Sequence, residues 1–129
     1  MITQKVGLII CNSGASNTGF LTGAIAYKVV ETLGSNKVGI CSLPALVNKI
    51  PRQVDIVRNL KHILIIDGCK NSCAKKIIDD LGIDYNTYVN LENDVGYKKK
   101  GPFTTFDYSN DEIDKALYFI LEKVKEFEI

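Results

Sequence analysis

The sequence lacks an excess of charge of either sign and any apolar run of membrane-spanning length. Sixteen Lys and Arg stand against fifteen Asp and Glu, a net charge of +1, so no field of one sign recruits nucleic acid or anionic lipid. The start of the chain also lacks the long apolar region and cleavage site of a signal peptide. We therefore expect a cytoplasmic protein that binds neither nucleic acid nor membrane.

Histidine is nearly absent, and two familiar anion-binding loops are incomplete. The single histidine, His62, starts a predicted strand at the edge opposite to the cysteines, so a catalytic Cys–His pair is not expected. Residues 14–19 have the GxxxxG frame of a phosphate-binding loop, but Phe20 and Leu21 replace the Lys and Ser/Thr that it needs. A phosphatase-like loop after Cys11 would need an arginine where this chain has Asn17. The loop amides could still bind an anion at the start of the first helix.

What the chain does contain is a regular alternation of strand and helix patterns. With 129 residues, 46% apolar and 24% charged, residues 1–129 are expected to form a single soluble domain with a buried core. The patterns predict strands at 5–11, 37–43, 62–67 and 83–91, and helices at 20–33, 50–60, 70–81 and after the capping box of Ser109 and Glu112. This alternation predicts an α/β three-layer sandwich of the Rossmann/flavodoxin-like kind, with a mainly parallel four-stranded sheet in the order 2-1-3-4.

Four cysteines are the most informative residues of the chain. Cys11, Cys41 and Cys69 each close a predicted strand, and Cys73 follows in the next predicted helix. Because ligands of open parallel sheets bind outside the carboxyl ends of the strands, all four thiols can meet at one place. Cytosolic thiols stay reduced, which favours a metal site or catalysis over structural disulfides. Any one cysteine could be a small core residue, but four at one edge favour a site.

Four thiolates around one tetrahedral ion match a Cys₄ zinc site. Cys69 and Cys73 are spaced to share one helix face, and N–H groups at a helix start stabilise thiolates. The spacing differs from the paired CxxC knuckles of a zinc ribbon. Two alternatives stay open. One is a thiol enzyme or sulfur carrier in which Cys11 or Cys69 is the nucleophile, and the other is an iron–sulfur protein.

Residues 92–108 show no periodicity, and loops of this length are usually functional or disordered. The loop leaves the fourth strand at the same edge as the cysteines. We expect it to fold over them as a lid, with Tyr97 or Phe103 as apolar cover. Lys70 or the lysines at 98–100 would balance the negative charge of the thiolates. A solvated loop whose lysines only aid solubility is the alternative.

Four segments resemble the DGC-domain family, described as zinc-binding and named after its Asp-Gly-Cys triplet. They are Cys11-Asn12-Ser13-Gly14, Cys41-Ser42-Leu43-Pro44, Ile66-Asp67-Gly68-Cys69 with Cys73-Ala74-Lys75-Lys76, and Val95-Gly96-Tyr97-Lys98-Lys99. The resemblance implies a small standalone prokaryotic protein whose chelating residues are Cys11, Cys41, Cys69 and Cys73, with no known reaction. The family usually has proline after the triplet, where this chain has Lys70.

The sequence thus predicts a metal-binding protein with zinc as the ion and no assigned reaction. Residues expected to support the four cysteines as a second shell or lid are Asn12, Ser13, Ser42, Asp67, Lys70, Tyr97 and Lys98. A partner protein, a small-molecule thiol or an anion is left open as the binding partner.

Overall fold

The computed structural model describes residues 5–129. Along the chain it contains β1 (Val6–Ile10), α1 (Asn17–Leu33), β2 (Val38–Ile40), α2 (Leu43–Val47), α3 (Pro51–Arg58), β3 (His62–Asp67), α4 (Cys73–Asp80), β4 (Thr87–Asn90), one π-helical turn (Leu91–Val95) and α5 (Asn110–Lys125). None of the helices formed by residues 5–129 is long and apolar enough to cross a membrane.

The four strands form one sheet in the order β2-β1-β3-β4. All three strand pairs are parallel, so the predicted fold class and strand order are confirmed. At the carboxyl edge, Asp67 of β3 is aligned with Asn90 of β4. The segments that follow β1, β2 and β3 therefore leave the sheet at the same edge, which is where open parallel sheets bind ligands.

Helices cover both faces of the sheet, as the sandwich architecture requires. Leu8 and Ile10 of β1 belong to an apolar cluster that includes α1 and α5. Ile9, between them, points the other way into a second cluster with α2, α3 and α4. This assignment follows from the two-residue period of a strand, which sends successive side chains to opposite faces. Both clusters are built mainly from buried aliphatic side chains, so the core lies on both faces of the central strands.

Several element boundaries differ from the sequence prediction; α1, for example, begins at Asn17 and not at residue 20. Helix α4 begins at Cys73, because the preceding Ser72 adopts a left-handed conformation with φ 54. Strand β2 ends at Ile40, because Ser42 accepts a hydrogen bond from Ala45 N–H and starts the unpredicted helix α2. The strand predicted at 83–91 is shortened to Thr87–Asn90. The predicted loop then begins inside the π-helical turn.

Candidate functional site

Three of the four cysteines line one cavity at the carboxyl edge of the sheet. The cavity has a volume of about 160 Å³ and contains Cys11 after β1, Cys69 after β3 and Cys73 at the start of α4. Cys11 and Cys69 are partly buried and Cys73 is exposed. The remaining wall is built by loop residues on both sides, namely Ser13, Ala15, Ser16, Gly19, Gly68, Asn71, Lys99 and Pro102. We call this the thiol cavity.

Cys41 lies apart from the other three cysteines. It lines a separate cavity of about 230 Å³ between β1, β2 and α3, together with Gly7, Leu60 and other mainly apolar residues. The Cys41 Sγ is 3.0 Å from the position that a Cβ on Gly7 would take. Leu8 is aligned with Ile40, which puts Cys41 level with Ile9, about 7 Å short of Cys11 along the strand direction. The structure therefore does not bring together the four cysteines predicted to share one site.

The donor set of the thiol cavity suits a soft metal ion, since thiolates are the ligands such ions prefer. The positions of the side chains do not yet form a coordination sphere. Within residues 5–129, no three Cys, His, Asp or Glu side chains are grouped so that they could hold a metal ion. The thiol cavity thus contains side chains of a kind that binds soft metal ions, but these side chains are not arranged in a coordination sphere.

The surroundings of Cys11 oppose its ionisation. Burial is the main cause that raises the pKa of the Cys11 thiol, and Asp67, Cys73 and Cys69 add to it as negative neighbours. A hydrogen bond with the backbone of Ser13 acts in the opposite direction. The net pKa of Cys11 lies above its ordinary value. Such a thiol is a poor nucleophile at neutral pH, and it becomes a good ligand when a cation replaces its proton.

Asp67 of the Asp-Gly-Cys triplet acts as the cap of α4. Its carboxylate is 1% exposed and accepts hydrogen bonds from the backbone N–H groups of Ala74 at 2.9 Å and Lys75 at 3.0 Å. The Tyr88 hydroxyl donates a third, at 3.0 Å. Helix α4 starts at Cys73, so Asp67 fixes the turn that carries this cysteine. The N–H groups of Ala74 and Lys75 at the start of α4 are therefore occupied by a carboxylate and are not free to stabilise a thiolate.

The start of α1 is occupied in the same way. Asn17 N–H donates to the Thr104 hydroxyl at 3.1 Å, and Gly19 N–H donates to the Ser16 hydroxyl at 3.3 Å. The sequence left open an anion bound at this helix end. These contacts use the N–H groups of Asn17 and Gly19 for the protein itself, so an anion at this end would have to displace them.

Gly68 allows the triplet to approach α1 closely. A Cβ on Gly68 would lie 2.6 Å from the carbonyl carbon and oxygen of Thr18, and 2.8 Å from the nitrogen of Gly19. Real Cβ atoms do not approach backbone that closely, so only glycine fits at this position. The contact sets the distance between the Asp-Gly-Cys triplet and the start of α1.

The loop after β4 folds over the start of α1. The Asn17 amide donates to the Lys98 carbonyl at 3.0 Å, and its oxygen accepts from Lys100 N–H at 2.9 Å. Two residues of this loop, Lys99 and Pro102, line the thiol cavity. Part of the loop that the sequence predicted as a lid therefore lies next to the cysteines, and Lys99 is its charged residue there.

The residues expected to cover the cysteines have other positions. Phe103 is 97% exposed, and Tyr97 belongs to the buried cluster under α5. The Tyr97 hydroxyl donates to the Glu112 carbonyl. Neither side chain lines the thiol cavity, so the prediction that one of them is the apolar cover is wrong. Pro102 takes that place, because the Asn17 contacts turn the loop so that its tip faces solvent.

The other residues predicted to support the site serve the loops around it. Asn12 has φ 46, and its N–H donates to the Thr22 hydroxyl at 2.7 Å, which ties the first loop to α1. Ser13 lines the thiol cavity, whereas Ser42 caps α2. Lys70 N–H donates to the Glu92 carboxylate at 2.9 Å. None of Asn12, Ser42 and Lys70 lines the thiol cavity.

Two asparagines with structural roles at the site were missed by the sequence analysis. Asn17 holds the lid, as described above. Asn90 donates from its side-chain amide to the Cys69 carbonyl at 2.7 Å, and its side-chain oxygen accepts from the N–H groups of Glu92 and Asn93. A polar residue that ends a predicted strand at the cysteine edge was the available signal for Asn90. No comparable pattern pointed to Asn17.

Comparison with known proteins gives one match. No curated protein and no solved structure matches this chain. The model of the family described as the DGC domain matches residues 8–120, which include all four cysteines and the lid. The chain therefore belongs to the DGC-domain family.

Proposed function

We propose that this chain is a metal-binding protein that holds one zinc ion through the thiolates of Cys11, Cys69 and Cys73. The observation that carries the proposal is that these three thiols, from three separate segments, line one small cavity. Thiolates are strong zinc ligands, and a zinc site with an open position uses three protein ligands. Cys41 is left out because its sulfur lies against Gly7 in another cavity.

The electrostatics of the thiol cavity favour a bound cation over an activated nucleophile. Cys11, Cys69 and Cys73 surround the cavity, and the buried carboxylate of Asp67 is close enough to raise the pKa of Cys11. Two of the N–H groups at the start of α4, those of Ala74 and Lys75, are bonded to Asp67 and do not stabilise a thiolate. A divalent cation compensates several nearby negative groups at once, which a single lysine cannot do. This supports metal binding and weighs against a thiol enzyme or sulfur carrier.

The test is elemental analysis of protein purified under anaerobic, reducing conditions, with serine variants of each cysteine. We expect about one zinc per chain in the wild type. Cys11→Ser, Cys69→Ser and Cys73→Ser should each lose most of it. Cys41→Ser is the matched control and should keep it. Cobalt substitution gives a second readout, because sulfur-to-cobalt charge-transfer absorption reports thiolate ligands directly.

Each other outcome of this experiment decides against part of the proposal. If Cys41→Ser loses as much zinc as the other variants, the site uses four cysteines and Cys41 must move to reach it. Iron with visible absorption in place of zinc would favour the iron–sulfur alternative. Protein that stays metal-free after zinc loading, with all variants alike, would refute metal binding.

Removal of the metal should leave the fold intact. Both apolar clusters are built without Cys11, Cys69 or Cys73, in contrast to zinc fingers, which lack a core and unfold without metal. We expect chelation to leave the far-ultraviolet circular dichroism unchanged. Loss of that signal would mean that the ion supports the whole fold.

A further inference from the structure

Among residues 5–129, the thiol cavity offers three sulfur donors and no further metal-binding side chain. Its other polar side chains are the hydroxyls of Ser13 and Ser16, the amide of Asn71 and the ammonium of Lys99, which are weak ligands or none at all. Cys41 is separated from the cavity, as described above. The number of available donors is therefore three. This number favours a ligand whose central atom forms three bonds to sulfur.

We infer that the thiol cavity also captures trivalent, thiol-seeking oxyacids of the arsenite class through Cys11, Cys69 and Cys73. The inference rests on the proposed function in one respect, namely that these three thiols act as a single ligand set. Trivalent arsenic forms three bonds to sulfur and keeps a lone pair in the fourth direction. Its valence thus matches the number of thiols that line the cavity, which must draw closer together than they are in the structure to bind it.

The capture step is a condensation in which no electrons are transferred. Arsenous acid has three As–OH groups, and each thiol replaces one of them. Three S–As bonds form, three As–O bonds break, and each thiol proton leaves with a hydroxide as water. Neither an oxidant nor a reductant is needed. Cys73 is the exposed thiol and is the natural first point of attack, followed by Cys69 next to it and then by Cys11.

The negative charge of Asp67 next to the thiol cavity favours the adduct of arsenic with three thiols over an oxyanion. The adduct of arsenic with three thiols is neutral, so it adds no charge next to the buried carboxylate of Asp67. The same cavity is unsuited to pentavalent arsenate or phosphate. Both are oxyanions, and the N–H groups of Asn17 and Gly19 that could bind an anion at the start of α1 donate to Thr104 and Ser16. The structure thus predicts discrimination between the trivalent and the pentavalent oxidation states.

The experiment titrates reduced, zinc-free wild-type protein with sodium arsenite under anaerobic conditions. Intact mass should rise by one arsenic less three hydrogens. Alkylation of the native protein followed by peptide mapping should show protection of Cys11, Cys69 and Cys73, with Cys41 unchanged. Sodium arsenate and inorganic phosphate serve as negative controls and should protect no thiol. This arm needs no variant, so it does not depend on whether a variant folds.

Competition with a small dithiol tests whether arsenic forms a third bond to a protein sulfur. Dithiothreitol offers two thiols, so the wild type should retain arsenite in its presence while Cys11→Ser, left with two protein thiols, should release it. Cys41→Ser is the matched control and should behave as the wild type does. Protection of only Cys69 and Cys73, protection of Cys41, or release from the wild type as fast as from Cys11→Ser would each overturn the inference.

The two proposals fail separately. If zinc is absent and arsenite still protects the three thiols, the zinc assignment falls and the arsenite inference stands. If zinc binds through the three thiols and arsenite protects none or only two, the reverse holds.

Discussion

Two cavities hold the same side chain in opposite surroundings, one at the carboxyl edge of the sheet and the other between β1, β2 and α3. In the thiol cavity, Cys11 meets two other thiols, a lysine and a buried carboxylate. In the second cavity, Cys41 meets no partner thiol and lies against Gly7 and Leu60. Burial raises the pKa of both Cys11 and Cys41, but only Cys11 has charged neighbours that add to the effect. A position at the end of a strand therefore does not by itself bring a cysteine next to other thiols.

Each of the two cavities is lined by a glycine, Gly68 in the thiol cavity and Gly7 in the Cys41 cavity. The two glycines should differ in how much stability an added methyl group costs. At Gly68 the methyl group would meet the backbone of Thr18 and Gly19 at 2.6–2.8 Å, which cannot move without displacing α1. At Gly7 it would meet the Leu60 methyl at 2.3 Å, a side chain that can rotate. We expect Gly68→Ala to lower the free energy of unfolding by roughly 3 kcal/mol and Gly7→Ala by about 1 kcal/mol.

Urea denaturation measures both losses, provided that the slopes of the transitions agree. Gly14→Ala is the control, because a methyl group there meets nothing within 4 Å, and it should change stability by less than about 0.5 kcal/mol. Equal losses for Gly68→Ala and Gly7→Ala would show that the approach of the triplet to α1 is not a constraint on the thiol cavity.

The buried thiol of Cys41 should make the protein lose stability in alkali. Burial raises the pKa of Cys41 from 9.0 to about 11. Below pH 9 the thiol is protonated in both the folded and the unfolded chain, and its contribution to stability is fully present. Between pH 9 and 11 it ionises mainly in the unfolded chain, so the free energy of unfolding falls, by about 2 kcal/mol at pH 11 and by about 3 kcal/mol once the thiol is ionised in both states.

The comparison that isolates this effect is wild type against Cys41→Ala, with unfolding measured from pH 8 to about 11. The other titrating groups are common to both proteins, so the stability difference between them should shrink by about 2 kcal/mol. A difference that stays constant with pH would mean that Cys41 is not held as a neutral thiol in the folded protein.

The sequence predicted the sheet well because its signals are local and strong. The apolar runs that became β1 and β3 and the capping box of Ser109 and Glu112 indicated the right elements and, with the alternation of strands and helices, the right strand order. The carboxyl-edge location of Cys11, Cys69 and Cys73 followed from the same pattern. The strands and helices themselves are indicated by local patterns, and their order follows from the general preference for right-handed crossovers between parallel strands.

What the sequence did not predict depends on register and on long-range contacts. Cys41 closes a strand as Cys11 does, but β2 stops level with the middle of β1, and register is set by the pairing of strands. The orientation of the lid depends on Asn17, which bonds residues about eighty positions away. No local sequence pattern indicates either contact. The sequence therefore predicted Phe103 or Tyr97 as the apolar cover of the cysteines, whereas Pro102 lines the thiol cavity.

Substitutions at and next to Asp67 can distinguish the effect of its charge on Cys11 from its effect on the structure of the α4 start. Its charge raises the pKa of Cys11, so Asp67→Asn should lower that pKa and speed alkylation of Cys11 at pH 8 by roughly threefold to tenfold. Tyr88→Phe is the control, since it removes the hydroxyl that donates to Asp67 but leaves the charge. It should lower stability by about 1 kcal/mol and leave the alkylation rate unchanged.

Rates of Cys11 alkylation are followed by peptide mapping against time. If Tyr88→Phe accelerated the reaction as much as Asp67→Asn does, loosening of the α4 start would explain the effect and the charge of Asp67 would not.

The smallest expected effect distinguishes the two sides of the lid. Lys99 lines the thiol cavity, whereas Phe103 is 97% exposed with φ 65. Lys99→Gln should slow alkylation of the cavity thiols by the anion iodoacetate by about threefold, the size of one exposed charge interaction, and leave the reaction with neutral iodoacetamide unchanged. Phe103→Ser should alter neither rate and should change stability by less than about 0.5 kcal/mol.

Raising the salt concentration should remove the Lys99 effect, because mobile ions screen exposed charges. If Phe103→Ser instead exposed the cavity thiols to both reagents, the loop tip would cover the cysteines after all, and the difference between the two sides of the lid would disappear.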